Sequence, residues 1–203
     1  ALLEQKADAL DEARHWLARC RTHAEELGLT AVLANCRNLE GEIARKSGDL
    51  ELAADCYRES SDRYLALDSR SFVFPTLNLG LLDVLAERYD AAAERMRLLL
   101  AWLKRSPQPL LVTYTQVILV AAEAGRGDMA AASESLFVVS TYLESSSVAD
   151  GDIALMAERG GVAFAAAGHE RQARRALEIA ARQYRALGRV DDATRVEALF
   201  SRA

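Results

Sequence analysis

Proline, histidine and cysteine each occur only three times in these 203 residues, and aromatic side chains make up 6% of the chain. So little proline, at Pro75, Pro107 and Pro109, leaves long stretches free to form helix. With abundant Ala, Leu, Glu and Arg this predicts an all-α chain with essentially no strand. Three cysteines are an odd number, and Cys20, Cys36 and Cys56 show no C-x-x-C pairing; they read as small buried hydrophobes of a reducing compartment. There is no basic excess. The net charge is −5 and the pI near 5.3, so nucleic acid is not expected as a partner.

The most apolar stretch, Leu110 to Ala124, is interrupted by Thr113, Thr115, Gln116 and Glu123 and is too short to span a bilayer, and no signal peptide opens the chain. A cytoplasmic location away from membranes is expected. His15 and His23 lie eight residues apart on one helix, outside the i, i+4 spacing of a helical metal site, and His169 is remote from both in sequence. No HExxH, GxGxxG, GxxxxGK[ST] or GxSxG occurs, so no cofactor, metal or enzymatic activity is expected. Arg126-Gly127-Asp128 falls where a helix turn is expected and reads as coincidence rather than an adhesion motif.

What is present is a repeat. Segments at 7 to 13, 47 to 53, 86 to 92, 126 to 132 and 167 to 173 end on Ala13, Ala53, Ala92, Ala132 and Ala173, at steps of 40, 39, 40 and 41 residues. Four, seven and eleven residues beyond each alanine stand Leu17, Cys20, Ala24; Tyr57, Ser60, Tyr64; Met96, Leu99, Leu103; Leu136, Val139, Leu143; and Leu177, Ala180, Tyr184. That spacing draws one apolar stripe along a helix, which must bury it against a neighbour. A second helical pattern precedes each turn, with small residues for close packing at Gly41, Gly80 and Gly161.

The expected helices run 9 to 27, 29 to 47, 49 to 67, 71 to 87, 89 to 105, 109 to 125, 128 to 145, 151 to 167, 170 to 187 and 190 to 202. The expected units are a truncated repeat at about 1–28, repeats at 29–69, 70–107, 108–148 and 149–188, and a capping helix at 189–203 in which Val190, Ala193, Val196 and Phe200 alternate with charged residues. Because little precedes the first turn and no initiator Met is present, the chain reads as a fragment of a larger protein, forming one array from 1 to 203.

Leu79-Gly80 with Ala92 and Met96, and Gly41 with Ala53 and Tyr57, resemble the tetratricopeptide (TPR) repeat family, in a long variant of about 40 residues rather than the usual 34 or so. The Trp position of the family pattern holds Arg37, Thr76, Gln116 and Ala157, and the family proline is missing. The Ala/Arg-rich repeats and closing YRALGRVDDATRVEALFSR also look like the helical arrays of large bacterial regulators, including MalT-like and kinase-linked ones.

The resemblance implies a right-handed α-α superhelix of about five hairpins whose first helices line a concave groove. On it, Asn38, Leu77, Asn78, Leu81, Tyr114, Val117 and Ile118 are the expected partner-binding residues, the apolar ones as anchors and Asn38 and Asn78 as grips on a peptide backbone. The alternative for the apolar residues is ordinary core. The implied function is a protein-interaction scaffold for a peptide or helical segment within a bacterial signalling or regulatory protein. A second possibility is a ligand- or peptide-sensing regulatory domain that changes conformation to control attached domains. Homo-oligomers through exposed ends of the array would suit either.

Overall fold

The computed structural model describes residues 2–105 and 108–200, the side chains being described from residue 10 to residue 199. Among the described residues it is all-helical, with no strand. The helices are α1 (Leu2–Glu26), α2 (Thr30–Lys46), α3 (Leu50–Ala66), α4 (Val73–Leu85), α5 (Tyr89–Leu103), α6 (Pro109–Gly125), α7 (Met129–Glu144), α8 (Gly151–Ala166), α9 (Glu170–Ala186) and α10 (Val190–Phe200). A 3₁₀ turn, Arg70–Phe72, leads into α4.

The punctuation explains the 40-residue period. Residues with left-handed backbone stand at Gly28, Gly48, Asp68, Glu87, Gly127, Gly168 and Gly188. In each case the next residue's N–H reaches back five residues, as in Leu29 to Ala24 (2.8 Å), Asp49 to Ala44 (3.0 Å), Asp128 to Glu123 (2.8 Å) and Arg189 to Tyr184 (2.8 Å). This is the Schellman closure, which satisfies helix-end carbonyls in a minimal loop. A helix of 16 or 17 residues, as in α2, α3, α6, α7, α8 and α9, plus this short turn makes half a repeat. Between α2 and α3, and between α8 and α9, the period is thus nearly all helix, whereas longer connections at 67–72, 104–108 and 145–150 separate the other units. Asp49 and Asp128 then cap the following helices by accepting from Leu52 N–H (3.0 Å) and Ala131 N–H (3.2 Å).

The chain divides into two compact units, 1–82 and 83–203, the boundary falling inside α4. In the first, α1 packs on α2 and α2 on α3. Gly41 is required at the α2/α3 contact, because a Cβ there would lie 2.6 Å from the Tyr57 ring. Ser60, the only polar member of the expected stripes, is fully buried and donates to the Ala34 carbonyl at 2.7 Å. In the second unit α6 packs on α5, α7 and α8, and α9 on α8 and α10. Gly161 repeats the Gly41 arrangement, with its would-be Cβ 2.6 Å from Leu177. In both hairpins the glycine faces the side chain four residues past the repeat alanine.

Two expectations are corrected. Residues 7 to 13 are not a turn: α1 runs unbroken from Leu2 to Glu26, starting seven residues before the expected helix. ADALDEA contains no glycine or proline to stop a helix, so the Leu2–Ala7 segment simply continues it. Cys20 is exposed, unlike every other residue of the five stripes. Leu17 and Ala24 are the only α1 side chains buried among those described.

Candidate partner-binding surface

In the first unit, α2 and α4 bring Asn38 and Asn78 together although they stand 40 residues apart. Asn78 Nδ2 donates to Asn38 Oδ1 at 3.1 Å, and Asn38 Nδ2 donates to Glu42 at 3.4 Å. Asn38 is buried while Asn78 is partly exposed, and the Asn78 side chain makes no other hydrogen bond among the described residues. On the same two helices Leu39 is 39% and Phe74 51% exposed. Leu77 and Leu81, expected as docking anchors, are instead core residues at 8% and 2% exposure.

The three remaining residues expected at the groove belong to the second unit. Val117 and Ile118 are buried in the core of α6, at 1% and 3%. All four aliphatic residues are buried, as the near-continuous apolar character of α6 requires for Val117 and Ile118. Tyr114 is partly buried; burial first, and then the hydrogen bond and negative charge of Asp150, hold its phenol well above its ordinary range. Asp150 also caps α8, accepting from Asp152 and Ile153 N–H at 2.8 and 3.0 Å. Its own N–H donates to Gln183 Oε1 at 2.8 Å, while Gln183 Nε2 donates to the Val148 carbonyl at 3.0 Å. Tyr114 thus helps tie down the 145–150 connection.

Two polar assemblies were not singled out by the sequence pattern. Across α1, α2 and α3 runs a chain of charges: Arg21 to Glu40 (2.8 Å), Arg37 to Glu40 (2.6 Å), Arg37 to Glu59 (2.5 Å) and Arg63 to Glu59 (2.7 Å). The Arg37 bond, and then that of Arg63, hold the Glu59 carboxyl below its usual range. Between α7 and α9 lies a cleft of about 490 Å³ lined by Phe137, Ser140, Glu144, Arg171, Arg174 and Arg175 among others. Phe137 is 73% exposed, and Arg171 and Arg174 make no ion pair among the described residues; Arg175 bonds Glu144 and Ser140. In the sequence, residues 169 to 203 carry eight arginines against five acids, a pattern that reads first as a solvated, ion-paired helix face.

The histidines have separate neighbours: His15 edges the Trp16 ring, His23 bonds Glu26 at 3.2 Å, and His169 precedes α9 with its ring edge-on to Phe164. Among the described residues no group of three or more His, Cys, Asp or Glu is placed to hold a metal ion, and no helix is long and apolar enough to cross a membrane. Arg126-Gly127-Asp128 is a helix turn, with Arg126 paired to Asp90 at 3.2 Å and Asp128 capping α7.

No protein-family model and no curated protein matches this sequence. Among solved structures, the chain is similar to BtubC (BKLC) from P. vanneervenii, at 17% identity and a TM-score of 0.61. The match covers 95% of this chain and 88% of that one. At this identity the likeness shows a shared helical fold and carries no function with it.

Proposed function

We propose that this chain is a TPR-like solenoid serving as a protein-interaction module of a larger regulatory protein, and that it takes up an extended peptide segment on the exposed α2/α4 face of its first unit. The observation that carries this reading is the Asn38/Asn78 pair. Two amides, one on α2 and one on α4, are joined through Asn78 Nδ2, which leaves the Asn78 carbonyl oxygen to accept from a peptide N–H. Leu39 and Phe74 stand exposed on the same helices as apolar contacts beside it. An amide to hold the backbone and flanking apolar side chains to select the residues are the elements of peptide recognition by a helical surface. Asn38 is the positioning residue, since its buried side chain fixes Asn78. Leu77 and Leu81 are buried on α4 and do not touch the peptide.

The test is selection from a displayed library of random peptides, followed by titration of a selected peptide against the wild type, Asn78→Ala and Phe74→Ala. Loss of one hydrogen bond or one aromatic contact weakens binding by roughly tenfold or more. Binding unchanged in both variants, at unchanged helix content, would remove this face from the reading.

A further inference from the structure

Cys20 on α1 and Cys36 on α2 lie with their sulfurs 3.7 Å apart, Cys36 S–H donating to Cys20. The separation exceeds a disulfide bond by less than two ångströms, about the reach of a side-chain rotation. Their accessibility differs sharply: Cys20 is exposed and Cys36 is buried at 1%. The helix carrying the exposed thiol is thinly held, with only Leu17 and Ala24 buried among its described side chains. Its polar ties to α2 and the following turn include Arg21 to Glu40 and Arg14 to Ser47, the latter at 2.7 Å.

We infer that Cys20 and Cys36 are an oxidisable pair, converted by a peroxide into a disulfide that staples α1 to α2. The exposed Cys20 sulfur, as thiolate, attacks the peroxide O–O bond, giving Cys20 sulfenic acid and, with its proton, one water. The Cys36 sulfur then attacks the Cys20 sulfur and displaces hydroxide, which takes the Cys36 proton and leaves as a second water. Two thiols are oxidised, one peroxide is reduced, and two waters are the only other products. Cys20 is the exposed sulfur and burial, first of all, pushes the Cys36 thiol up to about 11, so the initial attack falls to Cys20. Cys56 is buried on α3, and burial raises its thiol too, so it takes no part.

The staple closes a loop of roughly 16 residues, and in the chain-entropy treatment it lowers the opening of α1 by about 100-fold. The experiment treats the whole chain with stoichiometric hydrogen peroxide and follows intact mass, peptide maps and amide exchange. The expected result is loss of two hydrogen atoms, a Cys20/Cys36 cross-linked peptide, slower exchange confined to α1 and α2, and reversal by dithiothreitol. Cys56→Ser should retain the link, and Cys36→Ala should halt at a Cys20 sulfenic acid that dimedone traps. If Cys36→Ala proves unfolded, Cys20→Ser carries the test, since it should leave Cys36 a free thiol under the same treatment. Oxidation of Cys20 to sulfinic acid with Cys36 still reduced in the wild type, a link to Cys56, or cross-linking only between chains would each overturn the inference.

Discussion

Helices α1 and α6 show two ways of keeping a helix in a repeat array. Of the 17 residues of α6, 11 are buried, among them Glu123, whose carboxylate at 2% exposure is held by Arg97 at 2.7 Å. Described from residue 10 onward, α1 buries Leu17 and Ala24 and otherwise attaches by charge and hydrogen bonds. Apolar burial is worth about 25 cal/mol per Å², whereas a surface ion pair contributes about 0 to 1 kcal/mol. On its described residues α1 is therefore held less firmly than α6; α1 carries the exposed thiol, and α6 supplies Val117 and Ile118, two of the apolar residues that the sequence suggested as a binding groove.

The contrast is broken most forcefully by truncating both helices. Ile118→Ala should cost about 4 kcal/mol by urea unfolding and Leu17→Ala about 2 kcal/mol, since the thin packing of α1 lets its site collapse or refill with water. Equal losses would show that α1 is as firmly seated as α6. An effect of the same size as that of Leu17→Ala is expected at Gln183, which is buried and bridges Val148 and Asp150 from α9. Gln183→Ala leaves both backbone groups without that partner and should cost about 2 kcal/mol, with faster exchange at the start of α8.

Acid distinguishes the two regions by sign, with the smallest expected effect. Glu59 has its carboxyl lowered by Arg37 and Arg63, so it stabilises the folded chain above the ordinary glutamate range, and that contribution is lost as pH falls through its depressed value. Glu123 is raised, chiefly by burial and against the pull of Arg97 and Arg126. Its charge disfavours the folded state at neutral pH, and stability recovers as pH falls through the raised value. Glu59→Gln should thus destabilise at pH 7 by less than about 1 kcal/mol, whereas Glu123→Gln should stabilise. Both differences should shrink toward pH 4 in chemical denaturation; the same sign for both would contradict this division.

Much of the helical layout was legible in the residues because turn chemistry and apolar spacing agree. Glycine marks five of the seven left-handed turns, and fourteen of the fifteen stripe positions are buried. Where the sequence misled, it lacked a stop signal, as at 7 to 13, or a neighbour to cover a stripe, as at Cys20. The seven groove residues were less legible, because an apolar residue on a first helix has the same periodicity whether it faces a partner or an adjoining helix. Only packing separates Leu77, Leu81, Val117 and Ile118, which are covered, from Leu39 and Phe74, which are not. Asn38 and Asn78 were both legible as groove residues, but the hydrogen bond between them needed the side-chain geometry.

The decisive measurement is amide exchange of the chain with and without a selected peptide, read helix by helix. Slowed exchange centred on α2 and α4, and abolished by Asn78→Ala, is the predicted result. Protection confined to α7 and α9, or peptide-induced exposure of α6, would contradict the assignment of the partner to the α2/α4 face.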